Sequence, residues 1–211
     1  MSEINDMIQR LCPDGVEYKK LGEVGTFVRG NGLQKKDFVD EGVGCIHYGQ
    51  IYTYYGIFTT ITKSFVTPEL FAKLKKAKPG DLVIAVTSEN VQDVCKAVAW
   101  LGDEEIGVSG DAFIYHHTLN PKYVSYFFSS ESFQQQKLPY ITGAKVMRVS
   151  DRAMAKIEIP VPPMEVQRKI VEILDNFSEL TAELTAELTA RRKQYEYYRD
   201  NLLNFNRGGE K

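Results

Sequence analysis

The stretch IPVPPMEVQRKIVEILDNF, residues 159–177, divides this chain of 211 residues into two unlike parts. It opens with three prolines in four positions, Pro160, Pro162 and Pro163. Proline fixes φ and removes a backbone donor, so residues 160–163 read as a stiff, extended connector that ends whatever domain precedes it. From Met164 to residue 205 there is neither proline nor glycine. A helix is therefore expected over 164–206, roughly 60 Å long at 1.5 Å per residue, with residues 207–211 as a tail. Its apolar positions are Val166, Ile170, Ile173, Phe177, Leu180, Leu184, Leu188, Tyr195, Tyr198, Leu202 and Phe205. Steps of mostly four and three make this a coiled-coil seam, interrupted at Arg191, Arg192 and Lys193. A single helix cannot bury such a stripe, so it calls for a partner.

Inside that helix, LTAELTAELTA (180–190) repeats a four-residue unit. Each unit advances the helix by about 6 Å and turns its face by about 40°. Gaining or losing one unit changes both the length and the phase of whatever the helix separates. The same composition also suits a generic solvated helix, and the repeat alone does not choose between the two.

Upstream of the prolines, residues 1–159 are mixed. Strand-like runs are expected at 25–29, 44–51, 57–61, 82–87, 97–100 and 112–115, separated by turn signals such as KPGD at 78–81. Asn120 followed by Pro121 reads as a capped helix start. Strands and helices do not alternate regularly, which argues against a doubly wound sheet. The expected fold class is α/β (α+β): a domain over 1–159 with a curved mixed sheet, then a long C-terminal coiled-coil helix.

Composition narrows the function. Hydrophobic residues at 43% and charged residues at 26% are globular values. No apolar run approaches the roughly 18 residues of a membrane span, and MSEINDMIQRL lacks the basic start and apolar core of a secretion signal, so a cytoplasmic location is expected. A net charge of −2 excludes a polycation that grips nucleic acid by bulk charge. Cys12, Cys45 and Cys95 are too scattered for a disulfide framework or a CxxC metal pair.

Several catalytic patterns fail on spacing. Asn120-Pro121-Lys122-Tyr123 differs at its third position from the Asn-Pro-Pro-Tyr loop of methyltransferases that act on amino groups, and no glycine-rich cofactor loop accompanies it. Pro13-Asp14 with Glu17 and Lys19 has the letters of a metal-dependent nuclease, yet two residues between the acids leave no room for a change of strand. His116 and His117 are adjacent on a strand-like run and so point to opposite faces. Ser109-Gly110-Asp111 lacks a nucleophile-elbow context. No phosphate-binding loop is present. The chain is therefore expected to be non-enzymatic, with no metal.

The segments with functional character are polar and aromatic. They offer Arg29, Asn31, Gln34, Lys35 and Lys36 in the first loop. His47, Tyr48, Gln50 and Tyr52 follow in GCIHYGQIYTYYG, where strand alternation places His47 opposite the three others. Thr87, Ser88, Glu89, Asn90 and Gln92 follow the LVIA run, and Thr142, Lys145 and Arg148 lie in TGAKVMR. Lysine, arginine, serine and threonine suit phosphate contacts, while asparagine, glutamine, arginine and histidine suit base edges. Solvated loops and sheet-packed tyrosines are the bland alternative.

Taken together, 159–177, the repeat and RRKQYEYYRDNLLNF (191–205) resemble the long helix of specificity subunits of type I restriction-modification systems. The resemblance is strongest to the group with TAEL repeats in a central helix. VEYKKLGEVGTFVRG (16–30) resembles the opening of a target recognition domain, and KPGDLVIAVTSEN and TGAKVMRVSDRAMAKIEIP resemble its middle and end. The family carries two such domains and two antiparallel helices, whereas this chain has one of each and resembles a half subunit. The resemblance implies a second copy of the chain as helix partner and double-stranded DNA as ligand, with an interrupted palindrome as target. It also implies methyltransferase subunits that bring S-adenosylmethionine, the chain having no cofactor of its own, and a motor-endonuclease subunit able to join. Three readings stay open beside it: a coiled-coil interaction or scaffold protein, an inactive recombination cassette, and a stand-alone DNA enzyme.

Overall fold

The computed structural model describes residues 2–205. The expected tail, 207–211, and residue 206 lie outside the described residues. The chain forms two compact units, Met1–Lys169 and Ile170–Lys211.

The first unit is mixed α/β. One sheet has five strands in the spatial order Gly25–Arg29, Ala112–His117, Leu82–Ala85, Ala97–Trp100, Phe58–Thr59. Its pairings are antiparallel except the last, which is parallel. A second sheet has the order Ser64–Val66, Val43–Ile46, Ile106–Val108, Lys76–Ala77, with a parallel pair at its centre. Leu82–Ala85, Ala97–Trp100 and Ile106–Val108 are buried at every residue. That is why they read as continuous apolar runs rather than as alternation. Side chains from both sheets, including Ile46, Val83, Val98, Trp100, Val108 and Ile114, make one core cluster.

Both ends of the domain are tied together. Tyr18–Lys20 pairs antiparallel with Glu158–Pro160, and Val161 donates its N–H to the Glu17 carbonyl at 2.8 Å. Pro160 thus closes a strand, and the proline stretch is held against the domain rather than hanging free. Gln167, buried, accepts the Asn120 N–H at 2.9 Å and donates to the Pro162 carbonyl at 2.8 Å. The compact unit consequently runs on to Lys169, past the expected end at 159. The helix Ser2–Leu11 joins this edge through Glu3 to Lys169 and Arg10 to Glu165.

The strands at 25–29 and 97–100 match their expected bounds, and the helix Pro121–Phe128 begins at the Asn120 cap. The run 44–51 does not form one strand. The strand stops at Ile46, and Tyr48–Thr53 is helical. The alternation that put His47 opposite Tyr48, Gln50 and Tyr52 therefore does not apply. The cause is local: His47 and Gln50 cap each other's backbone in a three-residue reciprocal pair that the apolar pattern does not register. The run 82–87 likewise breaks into Leu82–Ala85 and Thr87–Ser88, and 57–61 shrinks to Phe58–Thr59.

The helix Met164–Leu202 has 39 residues and begins in the first unit. It ends at Leu202, short of the expected 206, and Phe205 lies beyond it. Thr181, Thr185 and Thr189 each donate the side-chain hydroxyl to the carbonyl four residues earlier, at 2.7 to 2.8 Å. These threonine hydroxyls are therefore satisfied within their own helix. In the second unit Phe177, Leu180, Leu184, Leu188, Tyr195, Tyr198 and Leu202 are all about half exposed or more. At 100° per residue they fall within a stripe about 80° wide.

Candidate nucleic-acid interface

Segments distant in sequence meet around Tyr48. The helix Tyr48–Thr53 starts at His47, whose ring Nδ1 accepts the Gly49 N–H at 3.2 Å. Gln50 Oε1 accepts the His47 N–H at 3.0 Å, completing the cap. Tyr48 and Tyr52, four residues apart, then share one helix face. The Tyr48 N–H donates to Ser109 Oγ at 2.8 Å, and the Tyr52 hydroxyl donates to the Thr87 carbonyl at 2.7 Å. The short helix is thereby fastened through its first backbone N–H to Ser109 and through Tyr52 to the strand Thr87–Ser88.

Two clefts share Tyr48 as a wall. The larger, about 350 Å³, is lined by Tyr52, Thr87, Ser88, Glu89, Asn90, Asp93 and Val146 besides Tyr48. The other, about 300 Å³, lies between Gln34 and Lys35 on one side and Ser109 to Asp111 on the other, with His47 beside Tyr48. Gly30 lets the chain at the start of the first loop pass close to residues 108–109, because a Cβ there would collide with the Ser109 carbonyl.

The segment 142–148 is a tight loop closed by reciprocal backbone hydrogen bonds between Thr142 and Arg148. Gly143 carries φ +92°, a left-handed conformation that leaves no room for a side chain against Val146. Its closing strand, Met147–Arg148, pairs with Thr87–Ser88, which brings Val146 to the larger cleft. Lys145 and Arg148 are exposed. Opposite them, the loop 88–95 is held from beneath by Lys137. This lysine is fully buried and donates to the Gln92 and Val94 carbonyls at 3.0 and 2.8 Å. Burial lowers its pKa, and the neighbouring Cys95 and Asp93 oppose that shift.

The sequence candidates separate into two groups. Lys35, His47, Tyr48, Tyr52, Thr87, Ser88 and Asn90 line the clefts. Other groups are committed to the fold. Asn31 donates to the Lys73 carbonyl at 2.9 Å and accepts the Lys75 N–H at 2.6 Å. Gln50 is buried, with its amide nitrogen on Ser64 Oγ at 2.7 Å. Asn90, though on a cleft wall, spends both ends of its amide on Asp93. Thr142 closes its own loop. Arg29 donates to the Gly110 carbonyl at 2.9 Å and approaches the Asp111 carboxylate at 3.6 Å. Lys36 is exposed beside Lys35 in the short turn Lys35–Asp37.

Sequence reasoning missed Ser109, Asp111, Asp93, Val146 and Lys137. Nothing in their local patterns distinguishes them from ordinary loop, turn and helix residues. Their relevance comes from contacts across tens of residues.

The electrostatics favour a neutral His47. Burial lowers its pKa, Lys35 lowers it further, and Asp111 acts in the opposite direction. Burial also raises the Tyr52 pKa, keeping the phenol a hydrogen-bond donor. Among the described residues no group of three or more histidine, cysteine or acidic side chains is placed to hold a metal ion. None of the described helices is long and apolar enough to cross a membrane.

The chain is 28% identical over 196 residues to the type I restriction enzyme EcoR124I/EcoR124II specificity subunit of Escherichia coli, a match covering 90% of this chain and 48% of that protein. A putative type I restriction enzyme specificity subunit of Haemophilus influenzae is 38% identical over 94 residues, covering 41% of this chain and 23% of that protein. In fold, the chain resembles a structure described as underlying complex assembly and conformational transition of the type I R-M system. That match has a TM-score of 0.62 and 19% identity, and covers 92% of this chain and 50% of that one. It also resembles the HsdS subunit from Thermoanaerobacter tengcongensis, with a TM-score of 0.58 and 18% identity over 88% of this chain and 45% of that one. The chain spans about half the length of the E. coli relative and of both structures. The family model for the type I restriction modification DNA specificity domain matches residues 13–191, nearly all of the first unit and about half of the second, and the chain belongs to that family.

Proposed function

We propose that this chain is a non-catalytic DNA-reading subunit of a type I restriction-modification system. Two copies pair through their long helices, and each first unit reads one half of an interrupted palindrome. The observation that carries the reading is the meeting of the segments 32–35, 47–52, 87–93, 109–111 and 142–148 around Tyr48. Polar loops gathered on a rigid sheet are the usual platform for recognition. The exposed apolar stripe of the second unit supports the pairing, since a helix of this length needs a partner for it.

The partners follow from the same reading. Methyltransferase subunits, carrying S-adenosylmethionine, would be held on the site and would flip the target adenine from the stack. A motor-endonuclease subunit would join for restriction. The near-neutral charge of the chain fits a division of labour in which partners supply much of the phosphate grip. The test is modified-base sequencing of DNA from cells expressing the chain with the neighbouring methyltransferase subunit, against cells lacking the chain. A new methylated interrupted palindrome is the expected result. An asymmetric motif would replace the identical pair by a mixed one, and no chain-dependent motif would leave an interaction protein or silent cassette as the better account.

A further inference from the structure

Lys137, the last residue of the helix Glu131–Lys137, carries a charge into the interior. Filling space does not account for it, because a methionine would occupy a similar volume without taking an ammonium out of water. The ammonium does what methionine cannot: it donates to the Gln92 and Val94 carbonyls, at 3.0 and 2.8 Å. Its base is firm. Phe133, one helical turn earlier, is fully buried and lies against Phe128 with ring centroids 4.3 Å apart. Between the strands Thr87–Ser88 and Ala97–Trp100 the chain forms neither helix nor strand, so single hydrogen bonds set its position. Asp93 sits between the two held carbonyls. Its N–H donates to Asn90 Oδ1 at 2.7 Å and its carboxylate accepts the Asn90 amide at 2.6 Å, so the hold on residues 92–94 reaches Asn90. Cys95 ends the turn with φ +69°, a left-handed conformation uncommon outside glycine. At the other end the Tyr52 hydroxyl holds the Thr87 carbonyl. The segment fixed in this way supplies Ser88, Glu89, Asn90 and Asp93 to one wall of the larger cleft.

We propose that Lys137 is a positioning residue for base choice: from inside the domain it sets where the 88–93 wall of the larger cleft stands, and it touches no DNA itself. This rests on the DNA-reading function proposed above. Full burial keeps the ammonium from any phosphate, so it makes no direct contribution to the grip on the DNA backbone. An exposed lysine adds affinity for every sequence, whereas Lys137 acts on discrimination alone, through the wall that it holds.

The experiment is selection from a random-sequence duplex pool by the full chain with its methyltransferase subunits, followed by sequencing, with affinity for random DNA measured alongside. Lys137→Met should keep that affinity within about twofold and lose roughly tenfold discrimination at one position of each half-site. The position should be one that Glu89→Ala, made on the wall itself, also relaxes, and the double variant should lose no more than the larger single loss. Lys137→Gln, which keeps N–H donors on a stem one bond shorter, should recover part of the discrimination. Val66→Ala opens a separate buried cluster with Leu33, Cys45 and Leu74, so it lowers stability and should leave that position as in wild type. The inference is overturned, with the DNA-reading function standing, if Lys137→Met selects the wild-type motif, if it weakens target and random DNA equally, if Glu89→Ala leaves the relaxed position unchanged or adds fully to it, if Lys137→Gln recovers nothing, or if Val66→Ala relaxes the same position. It is overturned too if neither Lys137 variant folds, since the lysine then serves the fold. If the wild-type complex selects no motif, the proposed function falls and the inference falls with it.

Discussion

Lys35 and Lys145 are exposed cations at the rims of the two clefts, one in the turn Lys35–Asp37 and one at the tip of the 142–148 loop. Their positions suit phosphate contacts, which add affinity without sequence preference. Lys35→Ala or Lys145→Ala should weaken binding to target and random DNA alike. Each should reduce the slope of log affinity against log salt by about one. A titration at several salt concentrations checks this, and a change confined to target DNA would contradict it. His117 is a residue with a different consequence. Burial pushes its pKa down to about 4, the Leu119 N–H occupies Nδ1, and Nε2 is buried without a partner. A histidine whose folded pKa lies below the unfolded value stabilises the fold above about pH 6.5. That contribution is lost as the pH falls toward 4. The loss is at most on the order of 3 kcal/mol, less the share that solvent screens. Denaturant unfolding at pH 7 and pH 4.5 should show the decline in wild type and a flatter profile in His117→Phe. Equal profiles would remove His117 as the cause.

At the scale of elements, the long helix was readable from end to end except for its last turn. A proline boundary and a 40-residue run free of helix breakers leave few alternatives. The short helix Tyr48–Thr53 was not readable, because GCIHYGQIYTYYG offers aromatic and β-branched residues that favour strands. Reciprocal capping by His47 and Gln50, and the hydrogen bond from Tyr48 to Ser109, outweigh that preference. The repeat within the long helix carries its own prediction. Removing one unit, Thr185 to Leu188, subtracts about 6 Å and 40° without introducing a helix breaker. The recognised spacer should shorten by about two base pairs or fewer, since B-DNA rises about 3.4 Å per step, with both half-sites unchanged. Methylated-motif sequencing reads this directly, and an unaltered spacer would reject the helix as a ruler.

At the scale of the whole molecule, the exposed stripe of Phe177, Leu180, Leu184, Leu188, Tyr195, Tyr198 and Leu202 is the surface that the proposed second copy would cover. Introducing charge there, as Leu184→Glu with Leu188→Glu, should shift sedimentation from dimer to monomer. The unfolding of the first unit should stay unchanged, because these side chains belong to the second. A variant that remains dimeric would move the interface elsewhere.

The division into a mixed domain and a helical rod, the buried central strands and the unpartnered apolar stripe all follow from local chemistry. Proline placement, continuous apolar runs and a repeat of three and four act over a few residues and survive any tertiary arrangement. The candidate site was legible as a set of polar segments, and the structure does bring Lys35, His47, Tyr48, Tyr52, Thr87, Ser88 and Asn90 to shared clefts. Which side chains stay free there is a matter of long-range pairing. Asn31 and Gln50 look like base readers in sequence, but Lys73, Lys75, His47 and Ser64 occupy them. Asp111 and Ser109 look ordinary until the chain packs residue 109 against residue 48. Hydrogen-bond partners tens of residues away leave no periodic trace in a sequence, so the stock of polar groups is local information and their availability is a property of the folded molecule.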